Sequence, residues 1–193
     1  MAYLLIEAFA AVAVLLPCFL LLNRVVFHSR RRTALYFLFA LYLAAVYHLT
    51  GLPTVLFITF DVNLNLIPFE IFTKELVLSL LNMAMFVPQG FFLPLFLGKY
   101  RSLKRTMLFG LGATVTIELA QLLTYRATDI NDVITNSLGC VLGFACFRLL
   151  EKMTGRAFPP WGKQRELRYV FLCTAAAMFF LQPPLAAFLY QLT

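Results

Sequence analysis

From the amino end the chain alternates long apolar runs with short polar breaks, and the runs have the length of membrane-crossing helices. A helix rises ~1.5 Å per residue, so about 20 apolar residues cover the ~30 Å of hydrocarbon in a bilayer. Six stretches meet that requirement: residues 3–22, 33–50, 75–97, 106–125, 132–150 and 169–192. The pattern predicts an all-α helical bundle with six transmembrane helices. The whole chain, 1–193, reads as a single integral membrane domain, because no polar stretch is long enough to bury a core of its own.

Two stretches depart from this regularity. Between the second and third runs, "GLPTVLFITFDVNLNLIPFEIFTKE" is too long for a tight turn and is broken by Pro53 and Pro68. From Asp61 to Leu66 polar and apolar residues alternate, the period of an extended segment with one wet and one oily face. A re-entrant or interfacial outer loop is therefore expected at about 51–74, roofing an outer cavity. In the third run, Pro88, Gly90 and Pro94 remove or weaken helical bonds, and a kink or short break is expected there. Gln89 is placed to satisfy the carbonyls so freed.

Composition agrees: 62% hydrophobic and 13% charged residues lie far from the make-up of an ordinary soluble domain. Charge then sets the orientation. Of 16 Lys and Arg, all but Lys74 and Arg126 fall in the breaks after the first, third and fifth runs or, for Arg148, at the end of the fifth run itself. Cations are retained on the cytoplasmic side, so both termini are expected to be extracellular. The net charge of +7 thereby reflects topology and attraction to anionic inner-leaflet lipids, and no nucleic-acid partner is implied. Cys18, Cys140, Cys146 and Cys173 lie within the apolar runs and imply neither a disulfide framework nor a zinc site. The acids mirror the cations: Glu7, Asp61, Glu70, Glu75, Glu118, Asp129 and Asp132 are assigned to the outer side or outer half.

Candidate chemistry gathers on that side. Glu118 lies ~10 Å below the outer end of the fourth run, Asn82 ~10 Å below that of the third, and Asn136 ~6 Å below Asp132 in the fifth. An ionisable group in hydrocarbon costs at least ~2.5 kcal/mol, so Glu118 should face the bundle interior or a wet cavity. Glu118, Gln121 and Tyr125 are spaced to share one side of the fourth helix, and Asp132, Asn136, Gly139 and Gly143 form a stripe on the fifth. "GCVLG" is a small-xxx-small pattern that lets a neighbouring helix approach closely. For Asn82 and Asn136, interhelical hydrogen bonding and a role in the site are both open.

Three stretches together, "NLIPFEIF", "NMAMFVPQGFFLP" and "IELAQLLTYRATDINDVITNSLGCVLG", resemble the VanZ-like family of bacterial membrane proteins. The matching positions are Asn65, Pro68, Phe69, Asn82, Phe86, Pro88, Gly90, Glu118, Gln121, Arg126, Asp129, Asp132, Asn136, Gly139 and Gly143. The resemblance implies a bacterial plasma membrane and lowered susceptibility to teicoplanin, a lipid-bearing glycopeptide antibiotic.

Two readings of the site remain. In the first, Asn65, Asn82, Gln121, Arg126 and Asn136 bind a lipid-linked cell-wall precursor, another membrane lipid or the antibiotic itself, with the Arg126 fork reading phosphate or carboxylate. In the second, Glu118, with Asp129 and Asp132, performs acid/base chemistry on a lipid-linked precursor. Its bland counterpart is an ion-pair network of Arg126 with the three acids. Two aspartates offer oxygens to Mg or Ca, but Arg126 competes for them, and no metal or other cofactor is assigned. The orientation is checked by cysteine accessibility: Thr128→Cys is expected to react with an impermeant maleimide on intact cells and Lys163→Cys is not. The reverse result would overturn the placement.

Overall fold

Residues without bulk decide where the helices of this chain come closest. The computed structural model describes residues 2–60, 62–69 and 76–192. Asp61, Glu70, Lys74 and Glu75, assigned to the outer side above, lie outside the described residues. In chain order the helices are α1 (Ala2–Leu22), α2 (Arg30–Leu49), α3 (Leu76–Phe96), α4 (Leu103–Gln121), α5 (Ile130–Thr154), α6 (Gln164–Ala176) and α7 (Gln182–Tyr190). A pair of two-residue strands, β1 (Leu64–Asn65) and β2 (Thr128–Asp129), is the departure from an all-α chain. The fold falls into two compact units, Met1–Ile58 with Lys163–Thr193, and Thr59–Gly162.

Five helical segments are long and apolar enough to cross a membrane: Tyr3–Phe27, Arg30–Leu49, Leu76–Phe96, Ile130–Thr154 and Gln164–Tyr190. The last joins α6 to α7 through a π-helical turn at Ala177–Leu181. Helix α4, with 19 residues and the charges of Lys104, Arg105 and Glu118, is not among them.

In the unit Thr59–Gly162, α3 and α5 touch through their backbones. A Cβ built on Gly139 would lie 2.0 Å from the Met83 carbonyl oxygen, and one on Gly143 would lie 2.0 Å from that of Val87. Gly90 on α3 answers them, since its Cβ would lie 2.0 Å from the Cys140 carbonyl oxygen. The partners advance together along both helices, so α3 and α5 run parallel. Helix α4 runs back along α5: Thr114 meets Asn136, while Gly110, four residues earlier, meets Cys140, four residues later.

This contact also bears on the break expected at Pro88. Helix α3 continues without a break through Pro88 and Pro94. Each proline removes one backbone bond, but packing along α5 opposes any opening of the helix where Gly90 meets Cys140. Gln89 does not satisfy a freed carbonyl, because its buried Nε2 has no hydrogen-bond partner among the described residues. Beyond α5, which closes at left-handed Gly155, the chain returns to the end of α3, where Trp161 and Gly162 donate to the Leu95 and Phe96 carbonyls.

The other unit is held by polar side chains near both ends of its helices. Glu166, 3% exposed, accepts from Arg32 at 2.6 Å and from the Tyr36 hydroxyl at 2.9 Å. Removing one member of such a buried pair strands the other. About 24 Å further along α6 and α7, Gln182 and Tyr190 donate to Glu7 on α1.

Alanine in place of Gly139 or Gly143 is expected to force α3 and α5 apart and to destabilise the protein by at least about 1–3 kcal/mol. The exposed Gly112, whose added Cβ would meet nothing within 4 Å, is the control. Gly112→Ala is expected to leave the thermal midpoint unchanged or slightly raised, as detergent-solubilised melting curves will show.

Candidate functional site

The site is built where α4 stops. The Thr124 hydroxyl donates to the Gln121 carbonyl at 2.9 Å, the Arg126 N–H donates to Thr124 Oγ1 at 3.3 Å, and the chain turns out of the helix. Tyr125 therefore does not share a helical face with Glu118 and Gln121. Those two are buried at 4% and 2% exposure, whereas Tyr125 lies beyond the helix end at 69%. Three residues after Arg126 comes Asp129, the N-cap of α5, which begins at Ile130.

The segment between the helices is fastened by a short parallel ladder, in which Leu64 faces Thr128 and Asn65 faces Asp129. Thr128 N–H donates to the Asn63 carbonyl at 2.9 Å, and Thr59 N–H to that of Leu123 at 3.1 Å. Of the segment expected to alternate, only Asn65 is set apart from its exposed neighbours. Leu64 and Leu66 are exposed, while Asn65 turns its amide onto Asp129.

Asp129 is the centre of the arrangement. Its backbone N–H donates to Glu118 Oε2 at 2.8 Å. Its Oδ1 accepts from the Asn131 backbone N–H at 2.7 Å, the capping bond, and from Asn131 Nδ2 at 2.8 Å. Its Oδ2 accepts from Asn65 Nδ2 at 3.0 Å. Capping of this kind is worth about 1 kcal/mol, and here the same carboxylate also holds Asn65, in the segment between α2 and α3. Asn131 Nδ2 reaches on to the Ile67 carbonyl at 2.9 Å, and Asn65 Oδ1 accepts from Ile67 N–H at 3.2 Å. Thr128 Oγ1 donates to the Glu118 carbonyl at 2.9 Å, so Glu118 is tied to β2 by both backbone and side chain.

The remaining candidates divide. Asn82 Nδ2 on α3 donates to Asp132 Oδ1 on α5 at 2.6 Å. Asn136, further down α5, donates to Thr114 Oγ1 on α4 at 2.9 Å, and its buried Oδ1 has no partner among the described residues. Asn65, Glu118 and Asp129 thus form one hydrogen-bonded group, and Asn82 with Asp132 a second. Gln121 lies one turn beyond Glu118 on the buried face of α4.

Arg126 stands apart from both groups. Its side chain is exposed, and among the described residues it makes no ion pair within 4 Å, although Glu118 lies within range of its charge, as of those of Asp129 and Asp132. Amides, rather than the guanidinium, answer the two aspartates. Also among the described residues, no three His, Cys, Asp or Glu side chains are grouped as a metal ion would require.

A helical chain with five membrane-length apolar helices and a polar group built on the α4–α5 junction is, in class, a multi-pass membrane protein. The model of the VanZ/LLP1 family matches residues 37–151, which include every candidate above, and the chain belongs to that family. No curated protein and no solved structure matches it.

Sequence reasoning missed Asn131, Thr128 and Thr114. Asp129 two residues before Asn131, at the head of an apolar run, was a capping signal for the first of these. Nothing local marked the bond from Asn131 to Ile67, which lies 64 residues away.

Substitution of Glu118 separates its acceptor role from its charge. Glu118→Gln keeps a side-chain oxygen for the Asp129 N–H and is expected to leave the melting temperature nearly unchanged. Glu118→Ala leaves that N–H unanswered and is expected to lower stability by about 1–3 kcal/mol. Equal stability of the two variants would show that the bond to Asp129 does not hold the α4–α5 junction.

Proposed function

We propose that the protein is a VanZ-like cell-envelope protein of a bacterial plasma membrane. Its outward-facing polar pocket binds a lipid-linked or lipid-bearing envelope molecule, and this binding lowers susceptibility to teicoplanin-type glycopeptides. The observation that carries the proposal is the exposed Arg126 guanidinium. It makes no ion pair among the described residues, while Asp129 and Asp132 accept from the amides of Asn131, Asn65 and Asn82. Direct pairing with the carboxylates does not account for such an arrangement. A planar, bidentate donor held free suits phosphate or carboxylate, the groups such molecules carry. Exposed Leu64, Leu66, Ile67 and Phe69 adjoin the polar group through Asn65 and supply apolar surface for a lipid chain or for the bilayer itself.

The same reading takes the whole chain as one membrane domain crossing six times with both termini outside. Parallel α3 and α5 support it, because the chain must return across the membrane between them and α4 is the segment available. The alternative, an intramembrane enzyme using Glu118 as acid/base on a lipid-linked cell-wall precursor, draws support from the burial of that acid. It draws less from the bonding, since Glu118 Oε2 already accepts the Asp129 N–H and both oxygens of Asp129 are engaged.

The test is Arg126→Lys, which keeps the charge and loses the fork. Glycopeptide susceptibility of cells carrying it is expected to rise most of the way to that of cells lacking the protein. The detergent-solubilised melting temperature should hold, and combining Arg126→Ala with Asp129→Asn should not restore function. A functional Lys variant, or rescue by the double change, would overturn the ligand-binding role.

A further inference from the structure

A second polar group lies in the other unit, far along the sequence from the VanZ-like motifs. Glu7 on α1 accepts from Gln182 Nε2, and from the Tyr190 hydroxyl at 2.8 Å, both on α7. His48 at the end of α2 brings Nδ1 to 3.8 Å from Glu7 Oε2, too far for a hydrogen bond. The ring of Tyr3 stacks on Tyr190 at 5.2 Å and tilts towards His48 at 6.2 Å.

These groups close one end of a cavity of about 360 Å³. Helix α1 lines it with Leu4, Glu7, Ala8 and Ala11, and α2 lines it with Leu41, Ala44, Ala45 and His48. Each set follows the i, i+3, i+4, i+7 spacing of one helical face, so the two faces oppose each other along a slot. The slot exists because its middle is lined by alanines, and two of them, Ala8 and Ala45, are exposed into it. At the end away from Glu7 and His48 the lining is Leu41, Val12 and Met178. Volume and lining both suit a small-molecule site, with an apolar body and a few polar groups at one place.

A cleft of this kind beside a bilayer would accept any hydrocarbon chain, so its selectivity must come from the polar end. That end carries one carboxylate. Each Glu7 oxygen accepts one donor from α7, and a carboxylate has lone pairs for about four. The chemistry left over is that of an acceptor with negative charge, which favours a cationic donor and repels an anionic head.

We infer that this slot is a binding site for a single acyl or alkyl chain of an amphiphile whose head is an ammonium group, with the ammonium at Glu7 and His48 and the tail towards Leu41 and Met178. The site is independent of the pocket proposed around Arg126 and stands or falls separately from it.

The experiment uses the full chain in phosphatidylcholine nanodiscs and a long-chain alkylamine bearing a diazirine near its tail end. Labelling mapped by mass spectrometry is expected to concentrate on Leu41, Ala45 and Met178. Excess dodecylamine should displace it and dodecanoate, of the same chain length, should not. Glu7→Gln keeps the hydrogen-bonding shape without the charge and is expected to weaken displacement by the amine about tenfold, the scale of one charge-assisted bond. Ala45→Phe and, separately, Ala8→Phe place a ring in open space and are expected to abolish the labelling with the melting temperature unchanged. Three outcomes would each overturn the proposal: equal displacement by amine and acid, no effect of Glu7→Gln, or labelling that survives both phenylalanines.

Discussion

The carbonyl oxygens of Met83 and Val87 occupy the space where residues 139 and 143 would carry a side chain, and the architecture of the unit from Thr59 to Gly162 depends on that contact. Lipid tails are as apolar as the helix surfaces they touch, so association in a bilayer depends on close packing and hydrogen bonds rather than on expulsion of water. Small residues on both faces supply the packing here. Because α3 and α5 run parallel at backbone contact, their first turns lie at the same end. Asn82 can then reach Asp132, and Asp129 at the head of α5 can meet the loop that precedes α3.

From that placement the electrostatic character of the site follows. A half-buried carboxylate needs donors, and Asp129 takes them from Asn131 and Asn65, one beside it in sequence and one across the ladder. Amides satisfy a carboxylate without introducing a second charge, which avoids the desolvation cost of a buried ion pair. Arg126, three residues before Asp129 and outside both helices, stays on the surface with its fork available. The hydrogen-bonded scaffold and the exposed cation are thereby different residues, and Glu118 belongs to the scaffold, holding the Asp129 N–H from a buried position.

The unit formed by the two ends of the chain is organised differently. Its helices are tied by single acids near the ends, Glu166 to Arg32 and Tyr36, and Glu7 to Gln182 and Tyr190. Between these ties small side chains leave a slot instead of closing one, because Ala8 and Ala45 keep the faces of α1 and α2 from filling the space. Alanine and glycine thus have opposite consequences in the two units: where the backbones are drawn together they give contact, and where polar ends hold the helices at fixed spacing they give room.

Much of the fold was legible in the sequence because its signals are local. Helix positions follow from run length, and the observed helices match the six predicted runs to within a few residues at nearly every end. The close approach at Gly139 and Gly143 was foreseeable from their spacing, and the extended character of residues 62–66 from their alternation. The family could be read because three motifs occur in order, and residues 37–151 bear it out. What the sequence could not decide were matters of partnership across distance. Pro88 and Pro94 looked like a break, yet α3 passes through them against α5. Tyr125 looked like part of a helical face, but α4 ends four residues before it. Arg126 was equally compatible with pairing to the acids or standing clear of them, and the choice fell to Asn65, 64 residues from its carboxylate partner. His48 comes to 3.8 Å from Glu7, 41 residues earlier on another helix, an approach that no spacing along the chain announces. Periodicity records which face of an element is apolar, and it carries nothing about which polar atoms meet once those faces are packed.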